Sequence, residues 1–210
     1  SREEAIKAIE VGIDTVAELK EKGYNVFATG EMGIGNTTTS SAVCSVLLDQ
    51  SVEKVTGKGA GLTNKDLEHK IEVIKQSIAL NQVDANDPLD VLSKVGGLDI
   101  AGMVGCYIGG AALQVPVFID GFISSVAALI AIRLVPECAP YLFPSHCSNE
   151  PAGHLILDAI GKEPYILANM CLGEGTGAVM GFTIADYAFK AYWELPSFEQ
   201  TNFGTYEELN

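Results

Sequence analysis

The chain has 210 residues, 13 Lys+Arg against 27 Asp+Glu, a formal net charge of −14 and 48% hydrophobic residues. With only 19% of residues charged, it buries enough apolar surface to offset its ordering entropy, which excludes disorder. The acidic balance leaves no basic surface for a phosphate backbone or an anionic membrane, so neither nucleic acid nor a membrane is an expected partner.

The elements alternate along the chain. Residues 2–22 predict an amphipathic helix with Ile6, Ile9, Ile13, Val16 and Leu19 on one side. Ser1 and Glu4 form a capping box at its start, and Gly23 stops it at C′. A chain that opens inside such a feature without Met reads as trimmed. A short strand is expected at 25–29, a helix at 36–48 and a second strand at 52–56. A long helix follows at 64–80 with Asn64 as its N-cap, and Asp87-Pro88 opens another with Pro at the first helical position.

The stretch 100–119 carries no charge across twenty positions, long enough to span a bilayer. Gln114 and Pro116 interrupt it, and no Lys/Arg cluster flanks it. It is better divided into a buried helix at 99–113 and a buried strand at 116–119. A helix at 124–134, a strand at 141–143, a helix at 151–160 and a long closing helix at 176–193 complete the pattern.

Strands alternating with helices predict an α/β fold: three layers, a mostly parallel Rossmann-like sheet with helices on both faces. Residues 1–195 are expected to form a single core domain and 196–210 a polar tail. The five cysteines (Cys44, Cys106, Cys138, Cys147 and Cys171) include no CxxC pair. They predict reduced thiols, and with no apolar leader they predict a cytoplasmic protein.

Ligands of an open parallel sheet sit beyond the carboxyl ends of its strands, so the loops there carry the chemistry. Gly30-Glu31-Met32-Gly33-Ile34-Gly35-Asn36-Thr37-Thr38-Thr39 joins a strand to a helix N-terminus. Its glycines and first-turn amides have the physics of an anion site, although it matches neither a P-loop nor a dinucleotide fingerprint. A plain tight turn with Thr caps is the competing reading.

Thr56-Gly57-Lys58-Gly59-Ala60-Gly61 fits a phosphate-approaching loop or a flexible connector, and Lys70 follows on the next helix. Asp120-Gly121 places a carboxylate at the end of a strand, as a ligand contact or a helix cap. Leu172-Gly173-Glu174-Gly175-Thr176-Gly177-Ala178 encloses one acid in glycines, which makes Glu174 a candidate general base. His146, Cys147 and His154 match no zinc signature, and a structural or substrate-binding loop is favoured over a metal or a Cys–His nucleophile.

Together with Asp90-Val-Leu-Ser-Lys-Val-Gly-Gly97, Pro116-Val-Phe-Ile-Asp-Gly-Phe122 and Ser145-His-Cys-Ser-Asn-Glu150, these blocks resemble the nicotinate-nucleotide–dimethylbenzimidazole phosphoribosyltransferase family. The likeness runs over nearly the whole chain and covers the family's C-terminal larger part. It lacks the N-terminal portion that helps to form the benzimidazole pocket. The resemblance implies transfer of phosphoribosyl from nicotinate mononucleotide to dimethylbenzimidazole or a related base, with inversion, in cobalamin biosynthesis.

It further implies Glu174 as the base and Glu31 as the ribose-contacting acid. Lys70, Gly33 and Gly59 fall on the phosphate side, Asp120 and Gly121 on the ribosyl-phosphate side, and Met32 and Gly175 among the substrate contacts. No cofactor and no metal are expected, and a homodimer is. Two other readings stand beside it. One is a non-catalytic nucleotide-binding fragment or subunit needing a separate N-terminal partner, the other an unrelated α/β phosphotransferase that would require Mg²⁺.

Overall fold

The computed structural model describes residues 1–201; the rest of the expected tail lies outside the described residues. Helix α1 (Arg2–Glu21) begins in the expected capping box, with Ser1 Oγ accepting from the Glu4 N–H. It ends in a Schellman motif, in which the Tyr24 N–H reaches Leu19 O and the Gly23 N–H reaches Lys20 O. Gly23 takes φ +96°, the left-handed geometry that suits glycine there.

Beyond α1 the chain forms β1 (Phe27–Ala28), α2 (Asn36–Leu48), α3 (Val52–Val55), α4 (Asn64–Asn81), α5 (Pro88–Val95) and α6 (Leu98–Ala112). Then come β2 (Val117–Ile119), α7 (Phe122–Leu134), a 3-10 turn (Pro136–Tyr141), β3 (Leu142–Pro144), α8 (Gly153–Ala159) and α9 (Thr176–Glu194). The strands pair in parallel in the order β1-β2-β3, with Phe27 opposite Val117 and Phe118 opposite Phe143.

Side chains alternate across β2, which is buried on both faces. Val117 packs toward α6, where Gly110 leaves room for its methyls. Phe118 points the other way, edge-on to Phe182 of α9 at a centroid distance of 4.8 Å. Helices therefore cover both faces of a small sheet, the α/β arrangement expected.

The charge-free run resolves into most of α6 and all of β2. No helix of the described residues is long and apolar enough to cross a membrane. Its small residues serve a helix crossing instead. A Cβ at Gly105 would fall inside the Ile9 carbonyl, and one at Gly12 would overlap Gly102 O. Backbones touch there, and a backbone has nowhere to move. Ile100, Val104 and Tyr107 of α6 are fully buried in the core beneath.

Two expectations are corrected. Residues 52–56 are helical over α3, because Val52 and Val55 lie three apart and are both buried on one helical face. The N-cap of α4 is Thr63, whose hydroxyl accepts from the Asp66 N–H, one residue before the expected Asn64. Asp87 caps α5 as expected, accepting from the N–H groups of Leu89 and Asp90 at 3.0 and 3.1 Å.

The α1–α6 crossing yields a paired prediction. Gly105→Ala should cost on the order of 3 kcal/mol through overpacking against backbone. Gly102→Ala, whose added Cβ meets only Ala8 O at 4.0 Å, should be neutral or gain up to about 1 kcal/mol in helix propensity. Urea midpoints at constant slope measure both.

Candidate functional site

Among the described residues, two concavities of opposite character stand out. One of about 980 Å³ runs between the outer face of the sheet and α9, lined by Phe118, Phe143, Tyr165, Phe182, Phe189 and Tyr192. It is aromatic and offers no cluster of reactive groups. The other, of about 190 Å³, lies past the carboxyl ends of β1 and β2 and is lined by Glu31, Gly33, Thr37, Asp120, His146 and Glu150 among others. Chemistry belongs to the second. The first turns of α2 and α7 border it through Thr37 and Phe122–Ser124, and helix N-termini favour negative charge.

Glu31 is held at the mouth of α2. Its Oε2 accepts from Asn36 Nδ2 at 2.6 Å and from the Met32 N–H at 3.1 Å. The same Asn36 amide donates to Asp99 Oδ2 at 2.8 Å, so one side chain ties two acids. Asn36 Oδ1 is buried without a partner among the described residues. Below, Tyr107 donates to Ser124 O at 3.0 Å and stands 2.6 Å from Thr29 Oγ1, joining the end of β1 to α6 and α7. Burial pushes its phenol far above the usual range, keeping it a donor.

The cation of the site is Lys70. It is buried and donates to Thr37 Oγ1 at 2.9 Å and to Gly57 O at 3.0 Å, whereas Lys58 is exposed. Burial pulls the Lys70 amine below its usual range, against the attraction of Glu150. Burial likewise pushes Glu150 up, against Lys70 and the Gly59 N–H. A Cβ at Gly57 would displace the Glu150 carboxylate and crowd Pro151 Cδ at 2.8 Å. A Cβ at Gly59 would come within 2.8 Å of Thr37 Oγ1.

The opposite wall is the loop before α9. Gly173, Glu174 and Gly175 take φ +74°, +59° and +79°, three successive left-handed residues. Glutamate in that region costs about 1–2 kcal/mol, so the surrounding contacts must impose it. They are visible. The Glu174 N–H donates to Glu31 O at 2.8 Å, and Gly30 admits no Cβ because Gly175 backbone occupies the space. The Glu174 carboxylate itself is exposed.

Asp120, 1% exposed, accepts from the N–H groups of Gly175, Gly177 and Ala178. His146 lies beside it, its Nδ1 4.0 Å from Asp120 Oδ1 and 3.1 Å from Ser145 Oγ.

A phosphoribosyltransferase family model matches residues 1–203. The chain belongs to this phosphoribosyltransferase family. Curated relatives named nicotinate-nucleotide–dimethylbenzimidazole phosphoribosyltransferase include one from Ruminiclostridium cellulolyticum, 53% identical over 209 residues, covering 100% of this chain and 59% of the relative. Another, from Acetivibrio thermocellus, is 52% identical over 207 residues, covering 99% of this chain and 59% of its own length. A crystal structure of CobT from Thermus thermophilus superposes with a TM-score of 0.91 at 31% identity, over 97% of this chain and 61% of that one. The chain thus spans about three-fifths of the length of the family members it matches.

The glycine–carboxylate loops of this chain meet in space here. Glu31, Met32, Gly33, Gly59, Asp120 and Gly121 line the small cavity. Lys70 reaches it through Thr37, and Glu174 and Gly175 adjoin it beyond Gly173. Sequence reasoning missed Asp99 and the pairing of Glu150 with Lys70. The Gly96-Gly97 pair was the available signal for Asp99, since a Cβ at Gly97 would overlap its Oδ1.

His154 is exposed, and burial pushes the Cys147 thiol up, away from the reactive thiolate. Among the described residues no three His, Cys, Asp or Glu side chains gather as a metal site.

His146 carries a pH signature. Burial holds its imidazole below the ordinary value of 6.5, against the pull of Asp120, so the folded state resists its protonation. Stability is then complete above about pH 6.5 and declines as pH falls below it, because the unfolded chain takes the proton first. Urea midpoints between pH 7.5 and 5.5 should fall in the parent and fall less steeply in His146→Asn.

Proposed function

We propose that this chain carries the phosphoribosyl-transfer centre of a nicotinate-nucleotide–dimethylbenzimidazole phosphoribosyltransferase, acting in cobalamin biosynthesis. The observation that carries the reading is the Glu174–Glu31 backbone bond, which brings an exposed acid and a tethered acid to one rim of an anion-suited cavity. Nicotinate mononucleotide places its phosphate against the first turn of α2, with Lys70 charging the Thr37 hydroxyl it touches. Gly33 and Gly59 let the backbone approach, with Met32, Gly121 and Gly175 as flanking contacts.

The pyridinium leaves as neutral-ring nicotinate, so departure of this group calls for no acid. A benzimidazole nitrogen attacks the anomeric carbon from the opposite face, the new C–N bond forms as the old one breaks, and the ring N–H proton passes to Glu174. Glu31, fixed by Asn36, lies where negative charge stabilises the oxocarbenium-like centre. The product is an α-ribazole phosphate. The acceptor ring meets the exposed Glu174 on arrival, which puts the base beside the N–H it deprotonates.

A second reading is a nucleotide-binding portion that becomes active only with the rest of the family's length. The chain's three-fifths span favours it, as does a small cavity below the roughly 300–1,000 Å³ of a complete ligand site. Assaying the chain alone and then with the remaining portion added separates the two. We further propose residues 1–195 as one core domain and a cytoplasmic homodimer as the assembly, for which the exposed aromatic residues of α9 supply apolar surface.

Glu174→Gln should lower turnover by about 10²–10⁴-fold, measured by release of nicotinate, while calorimetry finds nicotinate mononucleotide binding within twofold of the parent. Near-parental turnover in an active preparation would remove Glu174 from the role. Lys70→Ala should weaken phosphate and nicotinate mononucleotide by at least about tenfold in the same titration, the loss of a charged hydrogen bond.

A further inference from the structure

The first turn of α9 has an unusual cap. Helix first-turn amides lack intrahelical partners, and the N-cap residue here is Gly175, which has no side chain to supply one. The acceptor comes from another element. Asp120, at the end of β2, takes the Gly175 N–H on Oδ2 at 3.0 Å and the N–H groups of Gly177 and Ala178 on Oδ1 at 2.8 and 3.2 Å. The fit leaves no slack, because a Cβ at Gly177 would overlap the His146 ring and lie 2.9 Å from Asp120 Oδ1.

Both peptides flanking the strained Glu174 are thereby fastened. On one side its own N–H is bound to Glu31 O, and on the other the Gly175 N–H is bound to Asp120. A buried carboxylate bordering a phosphate cavity would also repel the phosphate unless its charge were balanced. Three amides and the positive end of α9 balance it.

We propose that Asp120 is a positioning residue: its carboxylate, bound to three amides of α9, fixes the left-handed 173–175 turn that presents Glu174, and does not contact the phosphoribosyl group. The assignment rests on the reading of Glu174 as the base, and it replaces the direct substrate contact expected from the sequence.

The test is Asp120→Asn, which keeps the shape and one oxygen acceptor but turns a donor toward the Gly175 amide. Residue-resolved amide exchange should accelerate at least tenfold at Gly175, Gly177 and Ala178, while calorimetry finds the affinity for inorganic phosphate within twofold of the parent. Turnover should fall at least tenfold in kcat with KM for nicotinate mononucleotide within twofold. Unchanged exchange at those amides together with a tenfold loss of phosphate affinity would overturn the proposal and make Asp120 a ligand contact. Unchanged exchange and unchanged kcat would overturn it too.

If the variant does not fold, the unmodified chain decides by carbon NMR. Phosphate leaves the Asp120 Cγ resonance in place if α9 holds the carboxylate, and shifts it if phosphate meets Asp120. Failure of the Glu174 reading would appear separately, as parental turnover in Glu174→Gln, with the exchange and phosphate results for Asp120 still standing.

Discussion

The loop after β1 and the loop before α9, far apart in sequence, touch through their backbones at Gly30 and Gly175, with no side chain between them. The Glu174 N–H then reaches Glu31 O at 2.8 Å, and two acids share a rim while the Glu31 carboxylate is held by Asn36 and the Glu174 side chain is exposed. Move the loops apart by one methyl group and the bond fails. The rest of the site is built outward from that contact: Asn36 steadies Glu31, Asp120 steadies the start of α9, and Thr37 links the first turn of α2 to Lys70.

Charge at this site is arranged by pairing and burial more than by number. The chain is strongly acidic, yet each acid at the cavity has its field taken up locally: Glu31 by amides, Asp120 by a helix end, Glu150 by a buried lysine. The acidity of the outer surface and the local field of the cavity can differ in sign because they act over different distances.

Much of this was legible in the sequence, and the reasons differ by element. The ends of α1 and α5 were written in Ser1, Glu4, Gly23, Asp87 and Pro88, because caps are local chemistry. The turn into α2 was legible because glycines before a run of Thr mark a loop that ends at a helix start. Residues 52–56 misled because Val and Thr favour strands as readily as short buried helices, and only the three-residue spacing of Val52 and Val55 told them apart. The bond from Asn36 to Asp99 and the attraction between Lys70 and Glu150 were invisible, since what converges across 63 and 80 positions depends on how loops meet, and no local pattern encodes that.

The glycines at Gly12, Gly30, Gly57, Gly97, Gly105 and Gly177 share one property: at each, the neighbouring atoms already occupy the place of a Cβ. An alanine scan ordinarily finds function by deleting atoms. At these positions damage would come from adding one, beside the losses expected where Glu174 or Lys70 is replaced. A mutational map of this protein thus carries two kinds of signal: lost groups at the acids and the buried lysine, and excluded volume at glycines that let the loops meet.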